Sequence, residues 1–261
     1  MGNSQFDVEI AAAIFFGMLI MLETGKRVGG HLIGRHGDAA RTGLGTVDGA
    51  IFALMGLLIA FTFSSAWSRF ETRRQLIVEE ANDIGTAWLR IDLLPPSAQP
   101  AMRESFRLYL DTRLNIYQKI ADADIPGAML ELDLAAVIQG EIWNQAIASL
   151  RSGEAASATP ILLLPALNQM FDIATTRTES LKNHAPRVIY IMLVILALSS
   201  SLLAGYGMAG WAGRSWIHIL CFSAIMAITV YVVMDLEYPR RGIIRLDGYD
   251  TVLTNLRQSM K

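Results

Sequence analysis

Residues 50–90, AIFALMGLLIAFTFSSAWSRFETRRQLIVEEANDIGTAWLR, constrain this chain more than any other stretch. The first half is apolar enough to enter a bilayer and the second half is charged, yet nothing between them breaks a helix. There is no proline, and after Gly56 the only glycine is Gly85. The pattern predicts one long helix that leaves the apolar phase near Ser68 and continues to Leu94, where Pro95-Pro96 stops it. Such a rod joins a membrane part to a polar part without a hinge.

The rest of the chain sorts around that rod. Hydrophobic residues make up 52% of the 261, but the average hides two populations. Four runs, residues 6–22, 50–67, 188–203 and 217–234, approach the roughly 20 apolar residues that a span needs. The first run carries Asp7 and Glu9 at its edge. It has neither a basic leader nor a small-x-small site, so it reads as a span and not as a cleaved signal. Residues 68–186 read as polar helical protein. Residues 101–121 have helical apolar spacing at Met102, Phe106, Tyr109, Leu110, Leu114 and Tyr117. Residues 130–150 do so at Leu134, Val137, Ile138, Ile142 and Ile147. A fourth polar helix is expected over 160–183 and a short helical patch over 252–256. Residues 23–46 read as a glycine-rich basic loop, and 205–213 as a tight turn. The expected fold class is therefore all-α: a polytopic membrane protein with four transmembrane helices and a helical domain inserted between the second and third. The division is 1–67 and 187–238 for the spans, 68–186 for the domain, and 239–261 for a tail.

Charge and cysteine content narrow the classes further. A net charge of −2 offers no basic surface for nucleic acid. The single cysteine, Cys221, lies in the fourth apolar run, so there is no disulfide framework. Four spans put both termini and the domain on one side. Arg69, Arg73, Arg74, Arg177, Lys182, Arg187, Arg240, Arg241 and Arg245 lie on that side. Lys26, Arg27, Arg35, Arg41 and Arg214 lie opposite. The longer first set predicts a cytoplasmic domain and cytoplasmic termini.

Catalytic constellations are missing, and neither an enzyme activity nor a cofactor is expected. The run Gly205-Tyr206-Gly207-Met208-Ala209-Gly210 matches GxGxxG in letters, but two apolar runs flank it where a nucleotide loop needs a strand and a soluble helix. His31, His36 and Asp38 share a loop without a third residue at metal-site spacing. Asp83 with Glu79 or Glu80 could hold a cation, but acids on a polar helix more often form a solvated face or pair with arginines. No charge interrupts the four runs, which argues against a proton-coupled pump. His218 reads as interfacial.

The second run has its own texture. Gly49, Phe52, Gly56, Ile59, Phe63, Ala66 and Phe70 repeat at three and four, a packing stripe where glycines would admit a neighbouring backbone. Opposite lie Ala53, Leu57, Phe61, Ser64 and Ser68, apolar first and hydroxylated towards the exit. That face fits a buried helix whose serines bond their own carbonyls. It also fits a pore lining, with Leu57 and Phe61 as the constriction. Arg69 and Arg73, one turn apart, repel each other and call for an anion. Lipid head groups come first; Glu80, a neighbouring subunit's acid and a permeating anion follow.

The runs FTFSSAWSRFETRR (61–74), EEANDIGTA (79–87), YLDTRL (109–114) and DLEYPRRG (235–242) resemble the bacterial bestrophin-like domain family over most of the chain. That family is distantly similar to true bestrophins, pentameric anion channels with four spans per subunit and a helical cytoplasmic domain, whose second span lines the pore through an apolar neck. Trp67, Arg69, Phe70 and Arg73 or Arg74 are similar to the run that follows their neck. The resemblance thus implies a neck near Ala53, Leu57 and Phe61, a homo-oligomer (a pentamer by analogy) among membrane lipids, and a bacterial inner-membrane location. Two features depart from bestrophins. Gly45-Thr46-Val47-Asp48-Gly49 stands where they have a Pro-Phe approach to the second span, and their acidic cation-binding run after the fourth span is not recognisable. The resemblance therefore implies neither anion selectivity nor calcium gating. The alternative function is a non-conducting membrane scaffold or sensor whose cytoplasmic helices bind a partner.

Overall fold

The computed structural model describes residues 2–36, 44–209, 216–240 and 243–260. Among these there is no strand. The helices are α1 (Gly2–His36), α2 (Leu44–Arg90), α3 (Gln99–Ala121), α4 (Ile125–Arg151), α5 (Thr159–Ser180), α6 (Arg187–Gly207), α7 (Trp216–Glu237) and α8 (Thr251–Ser259). Four of them, α1, α2, α6 and α7, are long and apolar enough to cross a membrane. The chain divides into two compact units, residues 1–70 with 184–244, and residues 71–183 with 245–261.

Helix α2 belongs to both units. It is unbroken through Ser68, as its sequence predicts, and ends at Arg90. A tightened turn over Ile91–Leu93 follows, and Leu94 is extended, the conformation that a following proline imposes. The start of α3 carries Pro100 in its first turn, where a missing N–H is not needed. Asp124 caps α4 by accepting the N–H of Gly127 at 3.0 Å.

In the first unit α1 lies along α6 and α7. Ile14, Met18, Leu193, Ala197, Met226 and Val230 form the apolar centre, which Met55 of α2 joins. Backbones approach closely between α1 and α6. A Cβ built on Gly25 would fall on the carbonyl of Leu202, and one on Gly205 would fall on the carbonyl of Leu22. A Cβ on Gly29 would stand 2.6 Å from that of Ala209. Gly25-x-x-x-Gly29 is thus a small-residue notch of the kind that membrane helices use for close packing. This corrects two sequence readings. Residues 23–36 are the last turns of α1, not loop, because their glycines serve helix contact. The turn expected at 205–213 begins only after Gly207, and residues 37–43 and 210–215, with Asp38, Arg41 and Arg214, lie outside the described residues.

The second unit packs α3 against α4. Its core includes Ile84, Trp88, Phe106, Tyr109, Leu110, Ile138, Ile142, Leu163 and Leu253. The apolar face expected of α3 is the buried one. That of α4 is turned by one position: Ala135, Ile138, Ile142 and Ala146 are buried, while Leu134 and Val137 are exposed.

Candidate functional site

The membrane half of α2 presents two opposite faces. Met55, Thr62, Ala66 and Phe70 are buried, with Phe52, Leu58 and Ile59 packed against the same cluster. Phe52 meets Phe222 of α7 edge-on at 6.2 Å. At about 100° per residue, Ala53, Leu57, Ser64 and Ser68 fall on the other side of the helix. All four are exposed in the chain, and so is Phe61 beside them, at 64%. The structure thus brings the five candidate pore residues together on one exposed side of α2.

The packing stripe read from the sequence is only half met within the chain. Phe52, Ile59, Ala66 and Phe70 turn inward, but Gly49 and Gly56 have open space beside their Cα atoms and Phe63 is 42% exposed. These three lie between the packed face and the candidate pore face. The close helix contact belongs instead to Gly25, Gly29 and Gly205.

The two arginines read as lipid or anion contacts are engaged by the chain itself. Arg69 donates to Glu237 through Nε at 3.0 Å and Nη2 at 2.7 Å, and through Nη1 to Ser65 Oγ at 2.6 Å. Glu237, the last residue of α7, is 0% exposed. It also accepts the N–H of Ala185 at 3.0 Å and lies 3.3 Å from Nδ1 of His184, whose ring leans on Tyr238. Its carboxylate therefore ties α2, α7 and the segment that leads into α6. Arg73, 4% exposed, donates to the carbonyls of Ser180 and Asn183 at 3.2 and 2.8 Å. The anion that Arg69 calls for is thus Glu237, and Arg73 is held by carbonyl dipoles. No head group is needed for either.

Two residues earlier in α7, Asp235 is buried and accepts the N–H groups of Ile243 and Ile244 at 3.0 and 2.7 Å. It holds the backbone of Ile243 and Ile244 against the end of α7 and is fully engaged as an acceptor. The helix therefore continues past the uncharged run 217–234 and ends on two buried carboxylates.

Within the second unit, Glu80 is fully buried and spoken for. Arg113 reaches one carboxylate oxygen at 2.5 Å. Arg177 bonds the other, which also accepts from Tyr117 Oη at 3.1 Å, and Arg177 continues to Asp250 at 2.7 Å. The Arg177 guanidinium lies over the Tyr117 ring at 3.4 Å. Burial pushes the Tyr117 hydroxyl up, as it pushes that of Tyr109 up to about 12, so both rings stay neutral. Glu80 is thus the centre of a structural ion network, not a cation ligand. His31 is exposed on α1, while the His36 side chain lies outside the described residues. No group of three or more His, Cys, Asp or Glu able to hold a metal occurs among the described residues.

Sequence reasoning missed Glu237, Asp235, Arg113 and the Gly25/Gly29 notch. Three signals were present: the GxxxG spacing, an arginine inside the apolar rhythm of 101–121, and two acids abutting the fourth apolar run.

A comparison with the curated proteins finds no match. Among solved structures, the fold is similar to a bacterial bestrophin homologue from Klebsiella pneumoniae carrying a tyrosine-to-alanine change. The TM-score is 0.69 at 12% identity, over 95% of this chain and 97% of that one. It is similar also to a tryptophan-to-alanine form of the homologue, again with TM-score 0.69 and 12% identity, over 100% and 97% of the two chains. A structure described as a membrane protein with a proline-to-alanine change gives 0.62 at 12% identity, over 100% and 98%. At this identity the likeness speaks for the fold. The bestrophin-like domain model matches residues 11–247, nearly the whole sequence. The chain belongs to the bestrophin-like domain family.

Proposed function

We propose that this protein is a homo-oligomeric ion channel of the bacterial inner membrane, with a pore enclosed by the Ala53, Leu57, Phe61, Ser64 and Ser68 faces of α2 from several copies. The observation that carries the reading is the exposure of this whole face, apolar at one end and hydroxylated at the other, opposite the face that its own chain packs. A four-span subunit cannot enclose an axial pore with one helix, so copies are required, and five is the number implied by analogy with bestrophins. Gly49, Gly56 and Phe63, lateral on α2 and uncovered, suit contact with a neighbouring copy. In the second unit, Met129, Leu130, Leu134 and Val137 leave an exposed apolar stripe on α4 that self-association would cover. The domain is cytoplasmic in this reading, and lipids surround the remaining faces. The ring of Phe61 and Leu57 is the barrier, because a narrow apolar passage cannot replace an ion's hydration shell.

Ion flux into liposomes tests it, normalised to folded protein. Phe61→Ala should conduct more than wild type, Leu57→Ala more but by less, and Phe63→Ala no more than wild type. If only Phe63→Ala gains flux, the pore face is misassigned. If no form passes any ion, the protein is the non-conducting scaffold, and the α4 stripe becomes its candidate partner surface.

A further inference from the structure

We infer that a cavity behind Phe61 is a binding site for a small neutral amphiphile that acts on the constriction. The cavity measures about 240 Å³ and lies wholly in the first unit, lined by Leu58, Phe61, Ser65, Arg69, Tyr190 and Val233 among others. At a water's share of about 30 Å³, it takes about eight non-hydrogen atoms. Its polar lining is Arg69, Ser65, Tyr190 and Thr62, and the Thr62 hydroxyl is turned away onto the carbonyls of Leu58 and Ile59.

The chemistry of that polar lining selects the ligand. Arg69 is already neutralised by Glu237, which it meets through two nitrogens, and its third nitrogen is on Ser65. A second anion would face the Glu237 carboxylate, and a cation would face Arg69. A neutral head is therefore the one that the site accepts. The Tyr190 oxygen is buried beside the Glu237 carboxylate but makes no hydrogen bond of good geometry with it, so a ligand oxygen placed in line with the O–H offers a better acceptor. A hydroxyl or carbonyl at the head of a chain of about six carbons supplies that acceptor, and its alkyl body fills the apolar remainder. Phe61 is at once a wall of the cavity and the largest side chain on the candidate pore face, so an occupant biases the position of the ring. This last step rests on the proposed pore; the binding site itself does not.

The probe is 6-bromo-1-hexanol, which has eight non-hydrogen atoms and a locatable bromine. Crystals of the whole protein soaked at graded concentrations should show bromine in the cavity with the hydroxyl on Tyr190. Tyr190→Phe should need about fivefold more probe for equal occupancy, the loss of one neutral hydrogen bond. Ile189→Phe, which fills the cavity from its half-exposed wall, should show no bromine. Bromine absent from wild type, a lipid chain already filling the cavity, or occupancy indifferent to Tyr190→Phe would each overturn the site. Flux is the separate arm. The probe should change flux in wild type and not in Ile189→Phe. Bound bromine with unchanged flux in a conducting protein overturns the action on Phe61. Bound bromine in a protein that never conducts leaves the site standing and removes the pore.

Discussion

Arg69 and Glu237 meet where both side chains are largely withdrawn from solvent, with side-chain exposures of 19% and 0%. Removing one member of such a pair leaves a desolvated charge without its partner, which costs about 3–5 kcal/mol, whereas replacing both by apolar groups is often close to neutral. Glu237→Gln and Arg69→Met should therefore each lower the thermal midpoint sharply, and Arg69→Met with Glu237→Met should recover part of the loss, since the N–H of Ala185 loses its acceptor. Melting curves in detergent for the three variants check this. Single variants that melt with wild type would show that the pair holds nothing together. The sequence announces half of this contact. Two arginines one turn apart at a membrane exit call for an anion, but Glu237 lies 168 residues from Arg69, and no local rhythm connects them. Arg113 was hidden for a related reason. It interrupts an apolar stripe, and only the fold shows that buried Glu80 stands opposite.

At the scale of elements, the two sets of glycines separate by their surroundings. A Cβ on Gly205 would strike the α1 backbone, while one on Gly56 would meet nothing within 4 Å among the described residues. Gly205→Ala should push α1 from α6 and cost about 1–3 kcal/mol, in the range of other overpacked contacts. Gly56→Leu should leave the fold of a single chain alone and act, if at all, on assembly. Thermal midpoint and size-exclusion profile read together distinguish them. Gly205→Ala should lower the midpoint, and Gly56→Leu should shift only the elution volume. An unmoved midpoint for Gly205→Ala would mean that the α1–α6 contact tolerates a methyl group. Helix positions were well signalled, because apolar runs, Pro95, Pro100 and Pro239 delimit them. The end of α1 was not, since four glycines within residues 25–34 imitate a loop while two of them serve a helix contact. The facing of α4 was off by one position, because Leu134 and Val137 are as apolar as the residues that the core buries.

For the whole molecule, the four spans were legible and orientation rests on the arginine balance. A reporter active only in the periplasm, fused after Lys261, should be silent; a strong signal would reverse the topology and place the helical domain outside. The proposed pore face was legible as a face, since its residues share one side of α2, whereas its exposure depends on which side the rest of the chain covers. The first unit is also discontinuous in sequence, residues 1–70 and 184–244, and that governs its birth on the ribosome. The notch at Gly25 receives α6 at Leu202, about 180 residues later, which at roughly 5–20 residues per second is about 10–35 s of synthesis. Throughout that interval the nascent α1 must remain inserted with its grooved side against lipid or a chaperone of the membrane.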